Sequence, residues 1–186
     1  MTTYQQLCRK AARRRYPRPQ KRDGSVTLEF LLVLPILLIV LLAAIEFGMF
    51  FANIQQVALA CRVGAEAASQ TPGLPDGPDL VPTNITDAIN HQLASSGISP
   101  CRVYLEHNLS GIEQELVTAY VPACTCTAPA TALPPQPPPA TDYGRVSVRV
   151  TVCVPMTELA PNCLALFGFN LTGRCATCST TFRHEG

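Results

Sequence analysis

The strongest pattern in the chain is a largely apolar run from Leu28 to Phe51, without a charged or hydrogen-bonding side chain from Phe30 to Ile45. A helix over this run would be about 36 Å long, enough to cross a hydrocarbon core of about 30 Å. Buried helices of soluble proteins rarely lack polar positions over such a length. The pattern therefore predicts one transmembrane helix at about residues 28–51. Pro35 removes a backbone donor within it, which predicts a kink.

Beyond the run, apolar and small residues recur every three or four positions, as on one side of a helix. This spacing predicts that the helix continues to about residue 70 and packs the stripe against an outer domain. On this pattern Glu46 and Asn53 fall on other sides of the helix, and we expect Glu46 to lie at the membrane boundary. The stripe consists of Phe47, Phe51, Ile54, Ala58, Cys61, Ala65 and Ala68.

Residues 71–186 predict a small mixed domain. A helix with its N-cap near Asn84 is followed by strands at residues 102–106, 115–121, 145–152 and around 174–183. The strand at 145–152 alternates valines with polar residues, which predicts one buried and one solvent-exposed face. Strands that follow helices favour an antiparallel sheet packed on the first helix, so the predicted fold class is α+β.

A proline-rich segment interrupts the predicted sheet at residues 122–140. Seven of the eighteen residues from Pro122 to Pro139 are proline. Proline lacks the backbone donor that a sheet requires and favours extended polyproline conformation. We expect an exposed loop that acts as a spacer.

Charge is concentrated at the N-terminus. Eight of the 14 Lys and Arg lie within residues 1–23 with one acid, Asp23, whereas the rest of the chain is acidic. Basic residues beside an apolar helix stay in the cytosol, which predicts a cytosolic leader at residues 1–24, a helical part at 25–70 and an extracytoplasmic part at 71–186. The acidic remainder offers no surface for nucleic acid.

The chain has nine cysteines, of which only Cys8 lies in the leader. An even number outside the membrane favours disulfides. Side-chain alternation predicts that disulfides join Cys61 to Cys178 across the core and Cys153 to Cys175, while a buried free thiol at Cys61 is an equal alternative. The disulfide candidates are Cys61, Cys101, Cys124, Cys126, Cys153, Cys163, Cys175 and Cys178.

Recognisable catalytic motifs are absent from the sequence: no HExxH, no GxSxG and no phosphate-binding loop occurs. We expect no enzyme activity, no cofactor and no metal. A weaker hypothesis is a tethered zinc or redox protein that uses Cys124 and Cys126 with Cys175 and Cys178.

The residues before the apolar run read GSVTLEF from Gly24 to Phe30, with a glycine closing the basic leader and Glu29 five residues later. This segment resembles the processing site of prepilins, which a membrane peptidase cuts after the glycine. With the motifs LP at 34–35, IEFG at 45–48 and RVGA at 62–65, residues 22 to about 69 are similar to the TadE-like family of pseudopilins from tight-adherence pilus systems.

The resemblance implies a pilin-like fold and a single-pass protein of the bacterial inner membrane with a structural role in pilus or secretion-apparatus assembly. It further implies cleavage before Ser25 by a prepilin peptidase, and pairing of Glu29 with the Ser25 ammonium group of a neighbouring subunit. Expected partners are the lipid bilayer, assembly proteins and other subunits that contact the N-terminal helix. The alternative function is a membrane-tethered, disulfide-rich binding module for an extracellular ligand.

Overall fold

The computed structural model describes residues 25–76, 80–109, 112–120, 124–134 and 146–185. The chain divides into two compact units, residues 1–40 and 41–186. The leader, including Gly24, and the part of the proline-rich segment from 135 to 140 lie outside the described residues.

The described chain combines helices with one antiparallel sheet, which confirms the α+β prediction. The sheet has the strand order β2-β1-β3-β4, and each neighbouring pair is antiparallel. The elements are α1 (Ser25–Gln70), α2 (Thr83–Ala94), β1 (Arg102–His107), β2 (Gln114–Ala119), β3 (Ser147–Pro155), α3 (Met156–Leu159), a 3₁₀ helix (Cys163–Phe167) and β4 (Cys175–Arg183).

One face of the sheet packs on helices α1 and α2 to form the main core. Valines 148, 150, 152 and 154 of β3 all belong to this core. Helix α1 contributes mostly small residues, and its tightest point is Gly64, where an added Cβ would lie 2.7 Å from the side chain of Ile89 on α2. Small residues therefore let the helices and the sheet approach closely. The buried residues of α1 in this core are Val57, Ala60, Cys61, Ala65 and Ala68.

The side of α1 that faces the domain matches the predicted stripe at Cys61, Ala65 and Ala68 but differs from it before them. Phe47, Phe51 and Ala58 are exposed, whereas Glu46 is buried and the Asn53 side-chain amide donates to the carbonyl of Leu159 at 2.7 Å. In a helix that is apolar all round, apolar periodicity does not indicate which side meets protein. Polar residues do so, because lipid offers them no hydrogen-bond partner.

Helix α2 begins at Thr83, one residue before the predicted N-cap. Asn84 lies within the helix, and its side chain donates to the Thr71 hydroxyl at 2.7 Å instead of capping the helix. The prediction of an N-cap near Asn84 is therefore wrong, although the helix itself is present.

The second face of β3 is also buried, contrary to the prediction of a solvent-exposed face, whereas the same face of β4 is largely exposed. In β3 every residue from Ser147 to Val154 is buried. Residues 124–134 lie over this face, and Arg149 donates from Nη1 to the carbonyl of Thr131 at 2.6 Å. The first part of the proline-rich segment thus covers the sheet and is not a detached spacer. We call residues 124–134 the cover segment.

Beneath this cover lies a buried ion pair. Arg149 donates from Nε and Nη2 to the two carboxylate oxygens of Glu106, each at 2.6 Å. Both side chains are buried, so each depends on the other to offset the loss of water. Their cross-strand register, Glu106 opposite Arg149, brings the two groups together.

The strand directions define two ends of the domain. At one end β3 leads through Pro155 into α3, beside Asn53 of α1. At the other end His107 of β1 pairs with Val148, so the β1–β2 connection, which contains exposed Ile112, lies far from α3. We call these the α3 end and the Ile112 end.

Candidate functional site

The first half of α1 exposes an apolar surface that a water-soluble domain would bury. Its most apolar 18-residue window has a mean hydropathy of 3.0, and none of the window is buried. Large side chains from Leu28 to Leu42 are exposed. Since burial of apolar surface drives folding in water, this surface is suited to hydrocarbon, and one N-terminal helix could span a membrane.

The residues of the predicted processing site lie at the start of this helix. Gly24 lies outside the described residues, Ser25 is the first residue of α1, and Glu29 is exposed one turn later. Pro35 lies inside α1, which continues without interruption to Gln70. The kink at Pro35 and the pairing of Glu29 stay predictions.

Glu46 does not occupy the membrane boundary as an exposed acid. It is only 6% exposed, and its Oε2 accepts a hydrogen bond from the backbone N–H of Leu164 at 3.0 Å. The carboxylate therefore anchors the start of the 3₁₀ helix to α1. An IEFG sequence at the end of an apolar run gives no indication of this contact, because the partner is a backbone group far along the chain.

Two disulfides join the cover segment to the sheet. Cys101 bonds to Cys124 and Cys126 bonds to Cys153, with Cα separations of 5.7 and 6.3 Å. The predicted bridge from Cys153 to Cys175 is wrong. The two residues share the outer face as predicted, but Cys175 lies opposite Pro155 in the ladder and the cover segment supplies Cys126 instead.

A third sulfur lies beside the first disulfide. The Sγ atoms of Cys101, Cys124 and Cys175 all lie within 4.8 Å of one another. The hypothesised zinc set is not assembled, because Cys126 is bonded to Cys153 and Cys178 lies on the core side of the sheet.

The predicted bridge between Cys61 and Cys178 is not formed. The two residues meet across the core as predicted, but both are free thiols, which is the alternative expected for Cys61. Sγ of Cys61 lies 3.0 Å from the carbonyl oxygens of both Val150 and Cys178. The hydrogen bond from the Cys61 thiol lowers the pKa of Cys178 to about 7, although burial opposes this shift. The same hydrogen bond and burial raise the pKa of Cys61. At neutral pH the pair therefore holds a proton on Cys61 and a reactive thiolate fraction on Cys178.

The sequence also failed to indicate the ion pair of Arg149 with Glu106. Arg149 was expected to face solvent because it alternates with valines. The sequence signal for a covered sheet face is the CxC motif at Cys124 and Cys126, because two disulfides formed two residues apart can hold a segment against a sheet.

The TadE-like protein family model matches residues 24–66, which confirms the resemblance over the processing segment and most of α1. The match ends before α2 and the sheet. No curated protein and no solved structure matches the sequence.

We predict that alkylation of Cys178 follows a thiolate with a pKa of about 7. Cys61→Ala removes the hydrogen-bond donor while burial remains, so the pH midpoint of Cys178 alkylation should move upward. Cys61→Ser keeps a donor and should retain part of the lowered value. The measurement is site-resolved iodoacetamide labelling by mass spectrometry as a function of pH, and an unchanged midpoint in Cys61→Ala would contradict the assignment.

Proposed function

We propose that this protein is a single-pass, pseudopilin-like membrane component of a tight-adherence pilus or secretion apparatus, with a structural rather than an enzymatic role. The observation that carries the proposal is that the TadE-like match, residues 24–66, coincides with the helix whose apolar surface is exposed. A family motif and a lipid-compatible surface thus occur on the same residues.

The proposed topology places the leader in the cytosol and the outer domain outside the bacterial inner membrane. The concentration of Lys and Arg before Gly24 supports this orientation, because basic residues beside a span are retained on the cytosolic side. The two disulfides agree with an oxidising compartment for the outer domain.

Glu29 is the residue that we propose to link this helix to other subunits. It is exposed near the start of α1, where the surrounding side chains are apolar. A carboxylate in a span costs about 2.5–3.5 kcal/mol at the centre and less near an end, so a partner cation would favour association. After cleavage the new ammonium group of Ser25 on a neighbour would supply that cation.

A membrane-tethered binding module remains the alternative function. Disulfides are common in such modules and in envelope assembly proteins alike, so they favour neither. The distinction depends on what happens at the start of α1, because a simple anchor needs neither cleavage after Gly24 nor a partner for Glu29.

We predict that mature protein begins at Ser25 in cells that contain an active prepilin peptidase. Gly24→Val should leave the precursor intact, because its branched side chain crowds the scissile backbone. Gly48→Val, at a helical position with no atom within 4 Å of an added Cβ, is the control and should be processed normally. Intact mass and N-terminal sequencing decide the outcome. Native protein that still begins at residue 1 or 2 would contradict cleavage and indicate that α1 is an uncleaved anchor.

We also predict that Glu29→Gln inserts into the membrane normally but loses co-purification with pilus-assembly proteins. Removing the charge eases insertion and abolishes the attraction to a partner ammonium group. Glu66→Gln changes an exposed glutamate of the same helix in the outer domain and should preserve the association. If both variants recover the same amount of assembly proteins, Glu29 is an interfacial acid without a role in assembly.

A further inference from the structure

The segment between α3 and β4, residues 160–174, exposes three large apolar side chains within four positions. Leu166 is 92% exposed, Phe167 51% and Phe169 66%. No charged residue occurs from 159 to 173. We call residues 160–174 the α3–β4 loop and these three residues its tip.

The loop is attached to α1 at a defined level. Leu164 donates its backbone N–H to the Glu46 carboxylate, and Phe169 and Leu171 share with Phe47 and Phe50 the lining of a cavity of about 190 Å³. Glu46 directly follows Ile45, the last residue of the run that lacks polar side chains. The loop therefore lies beside the point where α1 would leave the hydrocarbon.

Exposed apolar residues of α1 lie within five positions of Glu46, the residue that holds the loop. Leu41, Leu42, Ile45 and Phe47 are all exposed, although they belong to the same compact unit as the sheet. The tip and these residues are uncharged surface at the α3 end of the domain. The helix that carries these residues also holds the candidate span, which is the reason to assign lipid as the occupant.

The polarity of the loop changes from its base, at Asn162 and residues 170–172, to its tip. At the base, Asn162 donates from its amide to Asn170 Oδ1 at 3.0 Å and accepts from the Leu171 N–H at 3.3 Å. Towards the tip, Gly168 and Phe169 donate their N–H groups to the carbonyls of Ala165 and Leu164. A segment that enters an apolar layer must satisfy its backbone internally, and this turn does so in part.

Gly168 makes this turn possible. Its φ of 92° lies in the left-handed region, which residues with a Cβ rarely adopt, and it reverses the chain between Phe167 and Phe169. Both aromatic side chains therefore remain at the tip. Amphipathic aromatic segments favour the membrane–water interface, where the ring enters the acyl boundary and the polar base stays hydrated.

We propose that the tip of the α3–β4 loop inserts into the interfacial layer of the bilayer that α1 crosses, on the side of the outer domain. The inference rests on the membrane span of the proposed function. Insertion would give the domain a second attachment beside the helix and limit its tilt relative to the bilayer.

The sequence contains no tryptophan, so a single introduced tryptophan reports its own surroundings. The full-length protein would be reconstituted in vesicles whose phospholipid chains carry bromine near either the headgroup end or the methyl end. Phe167→Trp tests the tip, and Leu166→Trp is a second variant at a side chain that packs on little else. Leu37→Trp tests the span, and Ile112→Trp, an exposed apolar position at the Ile112 end, is the matched control.

The proposal predicts that Phe167→Trp or Leu166→Trp loses most of its emission with bromine near the headgroup end and less with bromine near the methyl end. Leu37→Trp should be quenched by deep bromine, and Ile112→Trp by neither lipid. Mapping of the two disulfides confirms that each variant is folded. Quenching of Leu37→Trp without quenching of either tip variant would overturn the proposal and leave the tip as a surface for a protein partner. If Leu37→Trp is quenched by neither lipid, the result would instead contradict the membrane span of the proposed function.

Discussion

The whole structure depends on one helix, α1, whose two parts lie in different surroundings. The first part of α1 exposes its apolar side chains, while the later part forms one wall of the core of the outer domain. These two uses require different residues. Large aliphatic side chains suit contact with acyl chains, whereas Ala60, Gly64 and Ala68 permit the close approach of α2 and the sheet. The change from large to small residues along α1 therefore marks where the exposed apolar surface gives way to packing against protein.

The central strands carry a second layer on their other face, although this face holds polar residues such as Glu106, Arg149 and Thr151. The cover segment supplies this layer, and disulfides that span 23 and 27 residues hold it there. By chain entropy each such loop contributes about 3 kcal/mol to stability. The buried pair of Glu106 and Arg149 adds less to stability than to specificity, because its desolvation offsets much of its attraction. It fixes the cover through the Thr131 carbonyl.

Much of the architecture could be predicted from the sequence. The apolar run, the strand pattern of β3 and the alternation in β4 correctly indicated the long helix, the antiparallel sheet and the contact of Cys61 with Cys178. These features follow from local periodicity and from the face on which each side chain lies. The prepilin-like motif near Gly24 likewise indicated the family match without any knowledge of the fold.

The errors share a physical cause. The buried state of Glu46, the covered face around Arg149 and the bridge of Cys153 to Cys126 all depend on contacts between residues far apart in sequence. Periodicity shows which residues share a face but not what covers it. A proline-rich segment also has no regular hydrogen-bonding pattern. Its position on the sheet is therefore set by individual side chains and disulfides, which local sequence patterns do not predict.

The central claim is that α1 is packed tightly into the outer domain at Gly64, whereas its surface at Gly48 is open. The same substitution at two glycines tests this directly, because helix propensity cancels between them. Gly64→Val pushes against Ile89, whereas Gly48→Val meets no atom within 4 Å. In detergent micelles, denaturant unfolding should show Gly64→Val less stable than Gly48→Val by about 1–3 kcal/mol, the usual effect of overpacking. Equal stability of the two variants would contradict the claim.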